Sequence, residues 1–174
     1  MTIHTLTAEL WLPRTRDEIF SFFADAFNLE AITPPWLEFG VLTPPPIVMR
    51  AGALIDYRLQ VHGLPVRWQS EITVWNPPCR FVDEQRRGPY WRWVHTHSFD
   101  ETGGGTLCRD VVQYAVVGGR FINWLIVRRD VERIFTHRRK IIGRRFSASS
   151  DSSRMPSATS FVSGDGSASL LVQG

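Results

Sequence analysis

Between Leu37 and Tyr114 the chain is punctuated at short intervals by residues that reverse its direction. "TPPPI" at 43–47 is a rigid corner, "HGLP" at 62–65 a tight turn, "NPP" at 76–78 and "GP" at 88–89 further reversals, and "ETGGG" at 101–105 the most glycine-rich of them. The stretches between alternate apolar and polar residues, as in "AGALIDYRLQV" and "TLCRDVVQYAV". Period-two segments joined by such turns predict antiparallel strands in hairpins. No helical segment separates them, which excludes βαβ units and a parallel sheet. A sheet of this kind has one face that needs cover.

The cover is predicted at the C-terminal side. Gly118 and Gly119 end the last strand, and residues 120–146 read as one long helix. Trp124, Val127, Val131, Ile134 and Ile141 follow at spacings of three, four, three and seven, one stripe of a helix. Arg128, Arg129, Arg133, Arg138, Arg139, Lys140, Arg144 and Arg145 fill most of the rest, which reads as a solvated face. At the N-terminal side an alternating strand is followed by Pro13 and a Thr15/Glu18 pair with capping-box spacing, then by Ile19, Phe20, Phe22 and Phe23. Asn28 reads as the cap of a short second helix stopped by Pro34 and Pro35. The order is strand, two short helices, about six antiparallel strands and a long helix. It predicts an α+β domain over residues 1–146, with a curved antiparallel sheet wrapped on the long C-terminal helix. Residues 147–174 are Ser-rich with few large apolar groups and are expected to form a disordered tail.

The chain of 174 residues contains seven Trp and eleven Phe, enough to build a core and to wall a cavity. A net charge of +3 calls for no polyanion partner, and nucleic acid is not expected. The arginines of the long helix leave room for a weak contact with an anionic membrane surface. Two cysteines, Cys79 and Cys108, are too few for a disulfide scaffold and read as packing residues. No secretory leader is evident, and no run approaches the roughly 18 apolar residues of a membrane span. A cytoplasmic protein is expected, and nothing in the sequence calls for a cofactor.

Several unusual segments in this order resemble a known superfamily. They are "NLEAITPPWLEF" at 28–39, "LTPPPI" at 42–47, "FVDEQRRGPYWRWVHTHSF" at 81–99 and "VRRDVERIFTHRR" at 127–139. The chain is similar, over about residues 3–146, to the START-like, birch-pollen-allergen superfamily (SRPBCC) and to a bacterial ligand-binding branch of it. The resemblance implies a helix-grip fold enclosing an apolar cavity. Relatives include lipid carriers, quinone-binding proteins and polyketide aromatases and cyclases, so it implies no single substrate.

The residues with most chemistry lie in "YWRWVHTHSF" at 90–99. On a strand, Trp91, Trp93, His95, His97 and Phe99 share one face. On the strand before, Phe81, Asp83, Gln85 and Arg87 share a phase; if Phe81 faces the core, Asp83 and Gln85 follow it and approach the histidines. One strand earlier, Trp68 and Ile72 are expected inward, because Arg67, Gln69 and Glu71 form the wetter set. Four readings compete. A metal would need a third ligand beyond His95 and His97, from Asp83, Glu84, Asp110 or a distant His, and none stands at a diagnostic spacing, so no metal is expected. An acid–base pair of His95 or His97 with Asp83 would suit an enzyme of the aromatase/cyclase or dehydratase kind. A buried polar network that satisfies only itself would be structural. The reading preferred here is a small-molecule site with few polar points in apolar walls. Its expected residues are Trp68, Asp83, Gln85, Trp93, His95, His97 and Phe99, with Val127 and Val131 from the helix. The expected ligand is apolar or amphipathic: a lipid, isoprenoid, quinone or polyketide-like molecule. A third class, an interaction domain using the basic helix and the tail, would not need a cavity.

Overall fold

Thr15 opens the first helix: its hydroxyl accepts from the Glu18 N–H, while the Glu18 carboxylate turns to Arg14 instead of reaching back. In the computed structural model, which describes residues 2–118, 121 and 126–147, this helix is α1 (Arg16–Phe23). It follows β1 (His4–Leu12) and precedes a short α2 (Asn28–Ile32) and a 3-10 turn at Pro35–Leu37. Asn28 does not cap α2; its side-chain amide donates to the Phe22 carbonyl and so closes the end of α1.

Then come β2 (Gly40–Val41), β3 (Leu54–Val61), β4 (Leu64–Asn76), β5 (Arg80–Arg87), β6 (Tyr90–Thr102) and β7 (Gly105–Val116). All neighbours pair antiparallel in the order β1-β7-β6-β5-β4-β3-β2. The β3–β4 turn is made by His62 and Gly63 and the β6–β7 turn by Gly103 and Gly104, all with positive φ, the geometry that matches the twist of two-residue hairpins. The long helix, α3 (Arg128–Ser147), lies over the sheet. The expected start of that helix falls partly, and the Ser-rich segment beyond Ser147 wholly, outside the described residues. No helix among the described residues is long and apolar enough to cross a membrane.

Two expectations about facing are corrected. The pairing of β6 with β7 shifts register between Tyr90 and Arg92. The shift breaks the alternation, so Tyr90 turns inward and Trp91, placed inward by simple period two, is 68% exposed. A second shift, between Ile72 and Val74, brings Trp75 onto Phe20 and Phe81. The buried stripe of α3 is also rotated from the expected one. Val131, Phe135, Ile142 and Phe146 are buried, while Ile134 and Ile141 are only half-buried.

The core has two parts. One joins α1 to the sheet through Phe20, Phe22, Phe81 and Phe99 and receives Ile142 and Phe146 of α3. The other joins Val131 and Phe135 to Leu6, Val112 and Tyr114. Cys108 is buried in the first part, and burial, with the Asp110 charge, pushes its thiol up and away from reactivity; Cys79 is half-buried and also free.

Candidate functional site

The concave face of the sheet and α3 do not close on each other. They leave a cavity of about 670 Å³, walled largely by aliphatic and aromatic side chains. Trp68 and Trp93 meet edge to face at 5.3 Å, and Tyr90 packs on both. Seven of the expected site residues line this space: Trp68, Asp83, Trp93, His95, His97, Val127 and Val131. Gln85 and Phe99 do not. Gln85 stands just past the last β5–β6 pair, Glu84 with Val94, and its amide bonds Tyr90 across the turn: Nε2 donates to the Tyr90 carbonyl at 2.7 Å and Oε1 accepts from the Tyr90 N–H at 3.3 Å. Phe99 is 1% exposed and fills the core against Phe20 and Phe23.

The polar groups concentrate at one place. Asp83 on β5 stands opposite His95, and Asp110 on β7 stands opposite His97. Each carboxylate also lies diagonal to the other imidazole, within reach across a sheet face. The result is a closed ring of four side chains. His97 Nε2 donates to Asp83 Oδ2 at 3.1 Å, and His95 Nε2 donates to Asp110 Oδ1 at 3.0 Å. His97 Nδ1 stands 2.9 Å from Asp110 Oδ1, off the hydrogen-bond angle, and His95 Nδ1 stands 3.6 Å from Asp83 Oδ2. The imidazole centroids are 3.7 Å apart, and His97 stacks on Phe81. Ser70 donates to the other oxygen of Asp83 and accepts from the Trp68 indole.

Sequence reasoning weighed Asp110 only as a metal donor and missed Tyr57 and Arg138. Arg138, expected on the solvated face of α3, enters the cavity instead. It falls between Phe135 and Ile142 in the inward stripe, and its guanidinium lies 5.5 Å from the Phe135 ring centroid. The spacing was visible; the charge pointed the other way. Asp110 alternates in phase with Cys108, Val112 and Tyr114, a signal of the same kind.

The electrostatics follow from burial and proximity. Burial alone would raise both carboxyls, but for Asp83 the His97 hydrogen bond and the nearby cations outweigh it, and for Asp110 the two imidazoles do; both sit below the usual carboxylate range. Burial would lower His97, yet two carboxylates raise it. His95 stays lowered, by burial and by the charge on His97, against the pull of Asp110 and Asp83. Arg138 is lowered by burial, offset by Asp110 and Asp83. Tyr57 is pushed up by burial and by Asp83. The surroundings thus favour the charged forms of Asp83, Asp110 and His97 and the neutral form of His95.

Asp83, His95 and His97 each bring one donor atom within 4.8 Å of the others, a grouping able to surround a cation. A metal there would have to break the imidazole–carboxylate contacts and compete with the Arg138 charge beside them, so the donor set fits a charge network better than a metal centre. At the other end of the cavity, His62 of the β3–β4 turn meets Asp130 of α3 at 2.7 Å in an exposed contact.

Comparison with known proteins agrees with this architecture. Solved structures with the same fold include protein CV1439 from Chromobacterium violaceum (14% identity, 83% of this chain and 99% of that one, TM-score 0.66). Ara h 8.0201 superposes with a TM-score of 0.65 at 13% identity, over 85% of this chain and all of the other. A START superfamily protein from Mycobacterium smegmatis gives 0.60 at 14% identity, over 83% and 97% of the two chains. Among curated proteins none matches this chain in sequence. Residues 12–135 match the sequence model of the family described as polyketide cyclase / dehydrase and lipid transport. With the helix-grip order of elements, that match over most of its length makes the chain a member of this family, within the SRPBCC superfamily.

Proposed function

We propose that the chain binds an apolar or amphipathic small molecule between the sheet and α3, its polar end held at the ring of Asp83, His95, His97 and Asp110. The observation that carries this reading is the cavity itself: about 670 Å³ lined mostly by apolar groups, with a buried polar cluster at one place. That volume lies within the range of small-molecule sites, and the division of apolar walls from few polar points is their usual form. Trp36, Trp68 and Trp93 line the space, so occupancy has an optical signal. A neutral apolar fluorophore such as 1-aminoanthracene should quench Trp emission with one saturable site, and decan-1-ol should displace it. Emission unchanged at saturating dye would count against the reading.

One observation favours chemistry at the same site as the second reading. His97 is raised and His95 lowered by the environment they share. Neighbouring groups driven apart in this way can act as acid and base. A cyclisation or dehydration of an enolisable carbonyl compound would use His97 to donate and His95 to accept. Under this reading a His95→Gln variant binds such a compound and fails to turn it over.

A further inference from the structure

Arg138 is the member of the cluster whose donors are all unspent. Among the described residues no ion pair or hydrogen bond engages it; its Nε is buried without a partner, and the guanidinium lines the cavity above Phe135. Arginine has five donors and no acceptor, so what is missing is an oxygen-rich, planar acceptor. Asp83 and Asp110 do not supply it: neither pairs with Arg138, and the two Asp83 oxygens and Asp110 Oδ1 are engaged by His97, Ser70 and His95.

The ring also holds one vacant proton site. Three of its four imidazole–carboxylate approaches are between 2.9 and 3.1 Å, and the fourth, His95 Nδ1 to Asp83 Oδ2, is 3.6 Å. A nitrogen lone pair facing a carboxylate repels it, whereas an N–H draws it in. The long contact therefore marks His95 Nδ1 as the bare nitrogen. His95 and Arg138 both touch the Phe135 ring and both border the same cavity.

Building on the ligand-binding reading above, we propose that the ligand is an amphipathic acid, bound as a carboxylate on Arg138 with its proton transferred to His95 Nδ1. From the protonated acid the O–H bond breaks and an N–H bond forms on His95; from the carboxylate that prevails at pH 7 the same proton is taken from solvent, and in both cases the new N–H points at Asp83 Oδ2. The electron pair stays on the carboxylate, which meets the Arg138 fork. The transfer adds no net charge to the cavity: the ligand carboxylate is offset by the charge gained on His95. An apolar pocket accepts such a neutral transfer far more readily than a bare anion. The groups that face His95 are Asp83 from β5, His97 beside it on β6 and Asp110 from β7; Arg138 from α3 acts on the two carboxylates, as does the Tyr57 hydroxyl from β3 on Asp83. The added proton is stabilised by both carboxylates and opposed by the His97 charge. The ligand carboxylate brings the further negative charge that favours it.

The test compares decanoate with decan-1-ol on the full chain by titration calorimetry at pH 7, in two buffers of different ionisation enthalpy. Decanoate should bind about tenfold or more tightly than the alcohol, since its contacts to Arg138 are charge-assisted. Its binding should draw about one proton from the buffer per site, and decan-1-ol none. His95→Gln should abolish the proton uptake. Arg138→Gln should remove the preference for the acid, and Arg138→Lys should restore part of it. Equal affinity for the two probes, or decanoate binding without proton uptake in the parent protein, overturns the acid site while leaving the cavity reading intact. Failure of both probes to bind overturns the two together. The proton count on the parent protein needs no variant to fold.

Discussion

His97 sits between two carboxylates and His95 beside it between the same two, yet their surroundings drive them in opposite directions. The consequence for stability can be signed. A histidine raised in the folded state holds its proton more tightly than the unfolded chain does, so its contribution is present below the ordinary imidazole value and is lost as pH rises through the folded value. A lowered histidine acts in reverse: its contribution is present above the ordinary value and is lost as pH falls toward the folded one. With an ordinary value of 6.5 for both, the stability of this protein should peak near that pH and decline on each side. In urea unfolding across pH 5–9, His97→Gln should flatten the alkaline limb and His95→Gln the acid limb. The same slope in parent and variants on both limbs would mean that the ring is not coupled to folding. Asp83 and Asp110, both lowered, lose their contribution only in strong acid, well below this window.

The strands and turns were legible in the sequence because their signals are local: glycine pairs where two positive φ angles are needed, and alternation between them. The bulges were not, because a register shift is a property of two strands, and neither Tyr90 nor Thr73 announces it alone. That is why simple alternation places Trp91 inward; Gln85 leaves the pocket because its amide bonds the Tyr90 backbone across the turn. The inward face of α3 was legible in part. Val131 was placed correctly, whereas Phe135, Ile142 and Phe146 lie on a stripe rotated from the expected one, and Arg138 was assigned to solvent by its charge. A half-buried arginine whose Nε is buried is tolerated there because Asp83 and Asp110, on two strands far apart in sequence, attract its charge. One element-level dependence is sharp. Gly105 begins β7 where it meets β1, and a Cβ there would lie 2.3 Å from the Leu12 carbonyl and 2.7 Å from the Trp11 ring. Gly105→Ala should destabilise the protein by about 1–3 kcal/mol, since backbone must move to relieve the overlap. The expected fall in melting temperature is roughly 2–12 °C for a chain of this size. An unchanged melt would show that β1 and β7 can separate there at no cost.

At the scale of the whole molecule, a sheet bent by bulges and a helix laid across it leave an interior that side chains only partly fill. Aromatic groups pack the α1 end solidly, and the remaining space is closed by α3 on one side and the Trp68–Trp93 wall on the other. An apolar cavity of this size gives up packing contacts that a bound molecule restores. The account therefore depends on the cavity being a binding site, and that is measured most directly by titrating decan-1-ol calorimetrically into the parent protein and into Ile134→Trp. Ile134 is half-buried on α3 and lines the cavity, so the larger side chain takes up ligand space without entering the packed core. The account predicts one saturable site in the parent and its loss in the variant, with the melting temperature of the variant equal to or above that of the parent. No saturable binding in the parent, or the same affinity in both proteins, would contradict it.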